Sequence, residues 1–509
     1  MESIEYILES LENNCLDEID QFPKILEDSI FDLDSDSIGS IIPIIKKLIS
    51  NVEISLYVID SIPSMCDIIY SQMPNIFYKF VLNEMLPTFF EVSETNNLEY
   101  ATSLANAISE IADNYFQDNI DFIKFIEEMA RHKKWIIKAT AVTVLEFIGG
   151  SMNLTKSYKD IVNIIVLLNS DPSDELRKLL PSMIDSYVGK IKNKELSMKL
   201  YNIVTLLASD LKASVRLKTT EALYSIAGKM DDESKFIIIE PIIFKLVDDP
   251  DKSVRTLAIS RMSLLLSTFK ERISNELVSK FCSILNEDVY EKSYQVAFSF
   301  SVVALSIGKE RFNNELLPAF RNAIQSSDQR IRRTLSFAFV SLLNLLDPKD
   351  IKDLSLSLLN DLPFVSIGIM TNLCEILSHL DEYDSYIPYL VNPLKYCNWR
   401  MRLQVSKELR KCKQYFSNEI LIKSAYELLD DEIAKIREDA TISFTKLMTE
   451  DDIHYIKDLV ESENHWLRLC AAIIMKNMDH KFIPLTKDLI SKLCSDPVYS
   501  VQNNAKMIL

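Results

Sequence analysis

One short phrase recurs in this chain: "SDPSDELRKL" begins at Ser170, "SDLKASVRLK" at Ser209 and "DDPDKSVRTL" at Asp248. The three starts are evenly spaced, and a strict period of about 40 residues is the sequence signature of a stacked repeat protein. In such a protein each repeat is one supersecondary unit that buries its apolar faces against its neighbours. The fold therefore has to be derived from the repeat.

The basic residue of the phrase marks the same period along most of the chain. Arg177, Arg216 and Arg255 are evenly spaced, and Lys138 precedes Arg177 by the same interval. Other copies are anchored near residues 99, 293, 332, 367, 402, 437, 468 and 502, with a shorter spacing downstream. Two weaker copies, around "IEYILESLENN" and "IGSIIPIIKKLISN", precede them and bring the total to about fourteen.

Each copy predicts two helices joined by a short polar turn. Before the phrase at Ser209, the spacing of Leu196, Leu200, Ile203 and Leu207 places them on one helical face, and a second apolar stripe follows the phrase. An aspartate stands where the turn meets the second helix, and a carboxylate there can cap free N–H groups. These aspartates are Asp171, Asp210, Asp249, Asp431 and Asp496.

Proline and glycine add detail to the predicted helices. Pro241, Pro318 and Pro388 precede their anchor residues by the same interval, where proline starts or bends a first helix. Gly149 and Gly150 follow an apolar stretch and predict the end of its helix. The bent first helix, the Asp turn and the Val-Arg second helix together resemble the HEAT repeat. We therefore predict an all-α fold: a continuous right-handed α-α superhelical solenoid of about fourteen HEAT repeats, of the armadillo/HEAT type.

Composition excludes several classes of function. The formal net charge of −18 disfavours a nucleic-acid-binding protein, which needs a basic surface. The longest apolar run, residues 293–308, is too short to cross a bilayer, so no membrane association is expected. The eight cysteines form no CxxC pair, which is typical of a reducing compartment and predicts a cytoplasmic protein, also found in the nucleus.

No pattern of catalytic or metal-binding residues emerges. The five histidines form no HExxH, and the chain has no GxGxxG, GxxxxGK or GxSxG motif. We therefore expect no enzymatic activity, no metal and no cofactor. An enzyme with a cryptic site stays an alternative, which assay of the purified chain with phosphopeptides and nucleotides would test.

The three tryptophans share one place in the repeat. Trp135, Trp399 and Trp466 each fall in the turn between the two helices, in "HKKWIIK", "CNWRMRL" and "NHWLRL". Large aromatic residues at an exposed turn are unusual unless a partner covers them, and Trp is enriched among interface hot spots. A row of turns that binds a partner is one interpretation, and indoles that pack over their own repeats are the other.

The order of these turns resembles the scaffold (A) regulatory subunit of protein phosphatase 2A along nearly the whole chain. The turn at Trp135 falls in the fourth repeat, "SDPSDELRK" in the fifth and "NWRMRLQV" in the eleventh. "DDEIAKIREDAT" resembles the twelfth repeat of that family and "SDPVYSVQNNAK" the fourteenth.

The resemblance implies a non-catalytic scaffold, monomeric alone and heterotrimeric in complex, that holds two protein partners on its turns. Repeats 1–10, residues 1–380, would bind a regulatory subunit, and repeats 11–14, residues 381–509, a serine/threonine phosphatase catalytic subunit. For the catalytic subunit the implied contacts are Trp399, Arg400, Ile433, Ala434, His465, Trp466, Val498 and Tyr499. For the regulatory subunit they are Glu94, Thr95, Trp135, Asp171, Glu175 and Arg177.

The sequence also departs from that family, and another HEAT-repeat adaptor is the alternative. Glu175 stands where the family has an apolar residue, Gln502 stands where it has a basic one, and the family has fifteen repeats. An importin-like carrier that wraps basic cargo would suit the charge of −18. Co-purification of either a phosphatase or a Ran-type GTPase with basic cargo would separate the two.

Overall fold

The computed structural model describes residues 22–31, 33–50, 52–91, 98–117, 119–151, 156–287 and 290–508. All regular elements in these ranges are helices, which confirms the predicted all-α class. The chain divides into two compact units, residues 1–261 and 262–509. The predicted division after residue 380 separates partner-binding parts and stays a prediction.

Pairs of helices follow one another in the first unit, with turns where the repeated phrases occur. In chain order the α-helices are Phe22–Phe31, Ile42–Ile49, Val52–Asp60, Ile62–Gln72, Phe77–Phe80, Leu86–Glu91, Leu98–Tyr115, Ile120–Ala130, Trp135–Ser151, Tyr158–Asn169, Asp174–Arg177, Leu180–Tyr187, Lys194–Leu207, Ala213–Lys229, Asp232–Ser234, Glu240–Val247 and Lys252–Ser267. The boundary between the units falls within the last of these helices.

The second unit continues the same alternation. Its α-helices are Asn275–Leu285, Tyr290–Phe298, Phe300–Arg311, Leu317–Ala323, Gln329–Ala338, Pro348–Leu359, Pro363–Met370, Leu373–Leu377, Ile387–Leu390, Trp399–Leu409, Asn418–Leu428, Ala434–Leu447, Ile453–Glu461, His465–Asn477, Ile483–Leu493 and Tyr499–Lys506. Short 3-10 turns join several of them, as at Cys412–Gln414 and Glu450–Asp452.

Second helices of neighbouring repeats pack against each other, and the apolar stripes form the interface. In the second unit, Trp399–Leu409 contacts Ala434–Leu447, which contacts His465–Asn477, which contacts Tyr499–Lys506. Side chains at the helical spacing, such as Ile436 and Phe444, are fully buried there. Because each repeat exposes an apolar face that the next repeat covers, burial of these stripes holds the stack together.

Proline lies at the start of the first helix of a pair, as the sequence predicts. Pro241 and Pro318 lie in the first turn of the helices Glu240–Val247 and Leu317–Ala323. Each helix continues directly from a π-helical turn, Lys235–Ile239 and Phe312–Leu316. A proline lacks the N–H that the preceding turn would use, so the backbone adopts the wider turn immediately before it.

The predicted helix end at Gly149 and Gly150 is displaced by one residue, because the helix Trp135–Ser151 includes both glycines. A Cβ atom on Gly149 would meet the Tyr187 ring of the next repeat at 2.7 Å, whereas a Cβ atom on Gly150 would meet nothing within 4 Å. The buried Tyr187 hydroxyl donates a hydrogen bond to the Leu145 carbonyl at 2.6 Å. Gly149 therefore allows a close contact between helices instead of ending one.

We expect Gly149→Ala and Gly150→Ala to change stability in opposite directions. The first methyl group collides with the buried ring of Tyr187, and overpacking of this kind costs about 1–3 kcal/mol. The second enters open space and removes the entropic cost of a helical glycine, a gain of about 0.5–1 kcal/mol. Urea denaturation followed by circular dichroism measures both, and equal effects of the two variants would contradict the contact.

Candidate functional site

Several turns between the paired helices are built around an aspartate at their start. At Asp431, the carboxylate Oδ1 accepts the backbone N–H of Ile433 at 2.9 Å, and the carbonyl oxygen accepts Nη1 of Arg437 at 2.7 Å. The same two contacts recur at Asp210, where Lys212 N and Arg216 Nη1 donate at 2.8 Å each. The aspartate thus lies just outside the helix and orders the turn before it, so it is not the capping residue itself.

The predicted aspartates have a second role that the sequence analysis missed. In the described part of the chain, six of the basic residues also bind the aspartate of the next repeat, and the resulting ion pairs form an Asp–Arg ladder along the turns. The pairs and their shortest distances are Lys138–Asp171 2.5 Å, Arg177–Asp210 2.7 Å, Arg216–Asp249 2.7 Å, Arg332–Asp361 2.6 Å, Arg402–Asp431 2.5 Å and Arg468–Asp496 2.7 Å.

Burial makes the ladder energetically important. The Asp249 and Asp431 side chains are almost completely buried, and Arg216 and Arg402 lie against them. Burial alone would raise the pKa of Asp249, but hydrogen bonds from Arg216 and the Asp251 N–H outweigh it and lower the pKa. The hydrogen bond from Arg332 lowers the pKa of Asp361 below its ordinary value of 3.8. Both carboxylates are therefore stabilised in the charged form.

We expect the stability of the protein to fall steeply below about pH 4. The folded pKa values of Asp210, Asp249, Asp361 and Asp496 all lie below the ordinary 3.8. Their contribution is complete above the unfolded pKa and is lost as the pH falls through the folded pKa. Thermal unfolding between pH 7 and pH 3 measures this loss, and Asp361→Asn should show a weaker dependence. An identical pH profile for that variant would contradict the role of the ladder.

The predicted catalytic-subunit contacts come together at one edge of the second unit. They begin the helices Trp399–Leu409, Ala434–Leu447, His465–Asn477 and Tyr499–Lys506, which pack in that order. We call these eight residues the turn ridge: Trp399, Arg400, Ile433, Ala434, His465, Trp466, Val498 and Tyr499. Trp399 is 38% exposed, Trp466 39% and Tyr499 78%, so the ridge presents aromatic surface to solvent.

Cationic groups accompany the aromatic rings of the turn ridge. The Arg400 guanidinium carbon lies 4.4 Å from the ring centroid of Trp399, and that of Arg437 lies 4.8 Å from Trp466. The His465 ring lies beside Trp466, with 4.8 Å between centroids. Aromatic and arginine side chains side by side are typical of interface hot spots. The arrangement can bind a protein surface.

The predicted regulatory-subunit contacts are not all available to a partner. Glu94 and Thr95 lie outside the described residues. Asp171 and Arg177 belong to the Asp–Arg ladder, so their charged atoms are already paired within the chain. Replacing these two residues would therefore disturb stability as well as any contact with a partner.

Trp135 and Glu175, the other two predicted regulatory-subunit contacts, line one cavity of about 710 Å³ in the first unit. Trp135 is half-buried, and Glu175 is exposed and pairs with Lys178 at 2.6 Å. Of the predicted regulatory set, these two side chains face open space that a partner could enter.

The described ranges were compared with two further kinds of site, a metal centre and a membrane span, and they contain neither. Within them, no group of three or more His, Cys, Asp or Glu residues is arranged to hold a metal ion. No helix in the same ranges has the length and apolar character needed to cross a membrane.

Comparisons with known proteins reveal likeness in structure but not in sequence. No protein-family model matches the chain. No curated protein sequence matches it either.

Among solved structures, Kap121p bound to Pho4p is similar with a TM-score of 0.62 and 15% identity, over 93% of this chain and 54% of that one. The karyopherin Kap121p bound to the extreme C-terminus of the protein phosphatase Cdc14p is also similar. Its TM-score is 0.63 and its identity 16%, over 97% of this chain and 56% of that one.

A second karyopherin has the same kind of fold. The structure of Kap95p with RanGDP is similar with a TM-score of 0.53 and 10% identity, over 95% of this chain and 78% of that one. Identities this low show likeness of fold alone. They confirm the HEAT-type helical repeat. The chain spans about half the length of the Kap121p chains that it matches.

Proposed function

We propose that this chain is a non-catalytic adaptor that binds other proteins along its turns. The observation that carries the proposal is the turn ridge, where Trp399, Trp466 and Tyr499 are exposed on turns of the same edge. Exposed aromatic anchors with flanking polar groups have the composition of an interface core and rim. The negative net charge of −18 disfavours nucleic acid as the partner.

The likeness in fold favours a carrier of the karyopherin kind as the specific function. Kap121p has been solved with Pho4p, with Nup53p and with the C-terminus of Cdc14p, and Kap95p with RanGDP. A protein of this kind would act in both cytoplasm and nucleus. Its net charge of −18 would attract basic protein segments.

A phosphatase 2A scaffold is the second candidate, and one observation about the turn ridge favours it. The turns implied by that resemblance follow one another at nearly equal intervals, at Trp399, Ile433, His465 and Val498. Their helices pack side by side, so the implied contacts form one uninterrupted row. In this case the row would hold a phosphatase catalytic subunit and the earlier turns a regulatory subunit.

Isolation of the tagged chain from its own cells tests the proposal and separates the candidates. A phosphatase catalytic subunit with a regulatory subunit supports the scaffold, and a Ran-type GTPase with basic proteins supports the carrier. The same isolation with Trp399→Ala and Trp466→Ala together should lose the partner held on the turn ridge. Phosphopeptide hydrolysis by the chain alone, after removal of contaminating phosphatase, would contradict a non-catalytic adaptor.

A further inference from the structure

The Asp–Arg ladder is interrupted at one arginine of the second unit, because the next turn begins with serine. Ser462 stands where turns such as that of Asp431 carry aspartate: its carbonyl accepts Nη1 of Arg468 at 3.0 Å, as the Asp431 carbonyl accepts Arg437. The Ser462 hydroxyl accepts the N–H of Asn464 at 3.1 Å, so the serine keeps the local turn. It supplies no carboxylate to the preceding repeat.

Arg437 is the basic residue of the preceding repeat, which an aspartate at the position of Ser462 would otherwise bind. Its Nη1 donates to the carbonyls of Asp431 at 2.7 Å and Glu432 at 3.0 Å, so the side chain is oriented like the others. Among the described residues no carboxylate pairs with it, whereas Arg402 and Arg468 on either side each bind an aspartate. Trp466 lies against its guanidinium, and the side chain is half-buried beside the turn ridge.

The acidic side chains that flank Arg437 in the sequence have other partners, so none of them forms an ion pair with its guanidinium. Glu432 pairs with Arg402 at 3.2 Å, and Glu438 pairs with Lys435 at 3.0 Å. Asp430 accepts the side-chain amide of Asn464 at 3.4 Å. A guanidinium held in place and lacking a carboxylate presents its remaining N–H groups in the geometry that binds both oxygens of one carboxylate.

We propose that Arg437 binds an aspartate or glutamate side chain of the partner protein, which completes the ladder between the two chains. This inference rests on the proposed function, because it assigns a chemistry to the turn ridge. The ladder itself shows which group fits: at each intact position a carboxylate accepts from the guanidinium or ammonium group of the preceding repeat. Trp466 beside it would cover an apolar residue next to that acid.

A serine-to-aspartate substitution tests the inference within the intact chain. Ser462→Asp should restore the missing ion pair, raise the melting temperature and occupy Arg437. Ser462→Asn, whose side chain has nearly the shape of aspartate but no charge, should have none of these effects. Ser462→Asp should also weaken binding of the partner's acidic side chain. Because this variant is expected to be more stable, that loss of binding cannot be attributed to unfolding. Arg437→Gln, which removes the guanidinium, should weaken binding of the same acidic side chain.

The probe is a library of random peptides displayed on phage and selected on the immobilised chain. We expect peptides that depend on Trp466 to carry an Asp or Glu, and Asn or Gln in its place to weaken binding by about tenfold or more. The same peptides should fail to bind Ser462→Asp and should still bind Ser462→Asn. Trp466-dependent peptides without an acid would overturn the inference and leave the adaptor proposal standing. If no selected peptide depends on Trp466, both the inference and the binding role of the turn ridge fail.

Discussion

Replacing Arg402 by methionine is expected to destabilise the second unit by about 3–5 kcal/mol. Arg402 donates to both oxygens of Asp431, whose side chain has no exposed surface. Removing the guanidinium leaves a buried carboxylate without a counter-ion, which is more costly than removing both members of the pair. Urea denaturation followed by tryptophan fluorescence in a Trp135→Phe background reports on the second unit, which contains Trp399 and Trp466.

Arg437→Met is the matched control for that variant. It removes an arginine from the same position of the next repeat, where no carboxylate among the described residues depends on it, so we expect a loss of only about 1–2 kcal/mol. Adding Asp431→Asn to Arg402→Met should recover part of the stability, since the amide can still accept the Ile433 N–H. Equal losses for Arg402→Met and Arg437→Met would show that the ion pair is not what stabilises the turn.

Trp399→Ala together with Trp466→Ala is expected to weaken binding of the partner on the turn ridge by thirtyfold or more. Truncating one central aromatic anchor typically costs about 2 kcal/mol, which corresponds to about thirtyfold in affinity. Both rings are partly exposed at the start of their helices, so most of the loss should appear in binding. Titration of the purified partner against each variant measures the change, with circular dichroism to check the helical content.

Leu485→Ala serves as the control for an exposed apolar residue outside the turn ridge. Leu485 is 54% exposed on the first helix of its pair, Ile483–Leu493. Its removal should leave the affinity unchanged. If the double tryptophan variant binds normally but melts at a lower temperature, the indoles serve only the packing of their own repeats.

The repeat period made most of the fold predictable. Arg177, Arg216 and Arg255 lie at the same place in successive repeats because each repeat must present the same face to its neighbour. The helix starts at Pro241 and Pro318 followed from the missing N–H of proline. Gly149 was misinterpreted, since only the three-dimensional contact with Tyr187 distinguishes a close approach from a helix end.

The ladder was missed although both of its partners were identified in the sequence. The separation from Arg177 to Asp210 equals that from Arg216 to Asp249, and it is one period less the separation between the aspartate and the arginine of one repeat. That fixed offset was the available signal for a contact between repeats. The aspartates were interpreted as local caps because a carboxylate before a helix has that role in most proteins. No spacing in the sequence predicts the cavity beside Trp135, since its walls come from several separate helices.

Hydrogen–deuterium exchange of the chain, alone and with its isolated partner, tests most directly whether the turns bind proteins. We expect the partner to slow exchange in the first turns of the helices that begin at Trp399, Ala434, His465 and Tyr499. The first helices of the same pairs, such as Asn418–Leu428, should exchange as before. Protection confined to those first helices, with the turn ridge unchanged, would contradict the assignment of the turn ridge as the protein-binding surface.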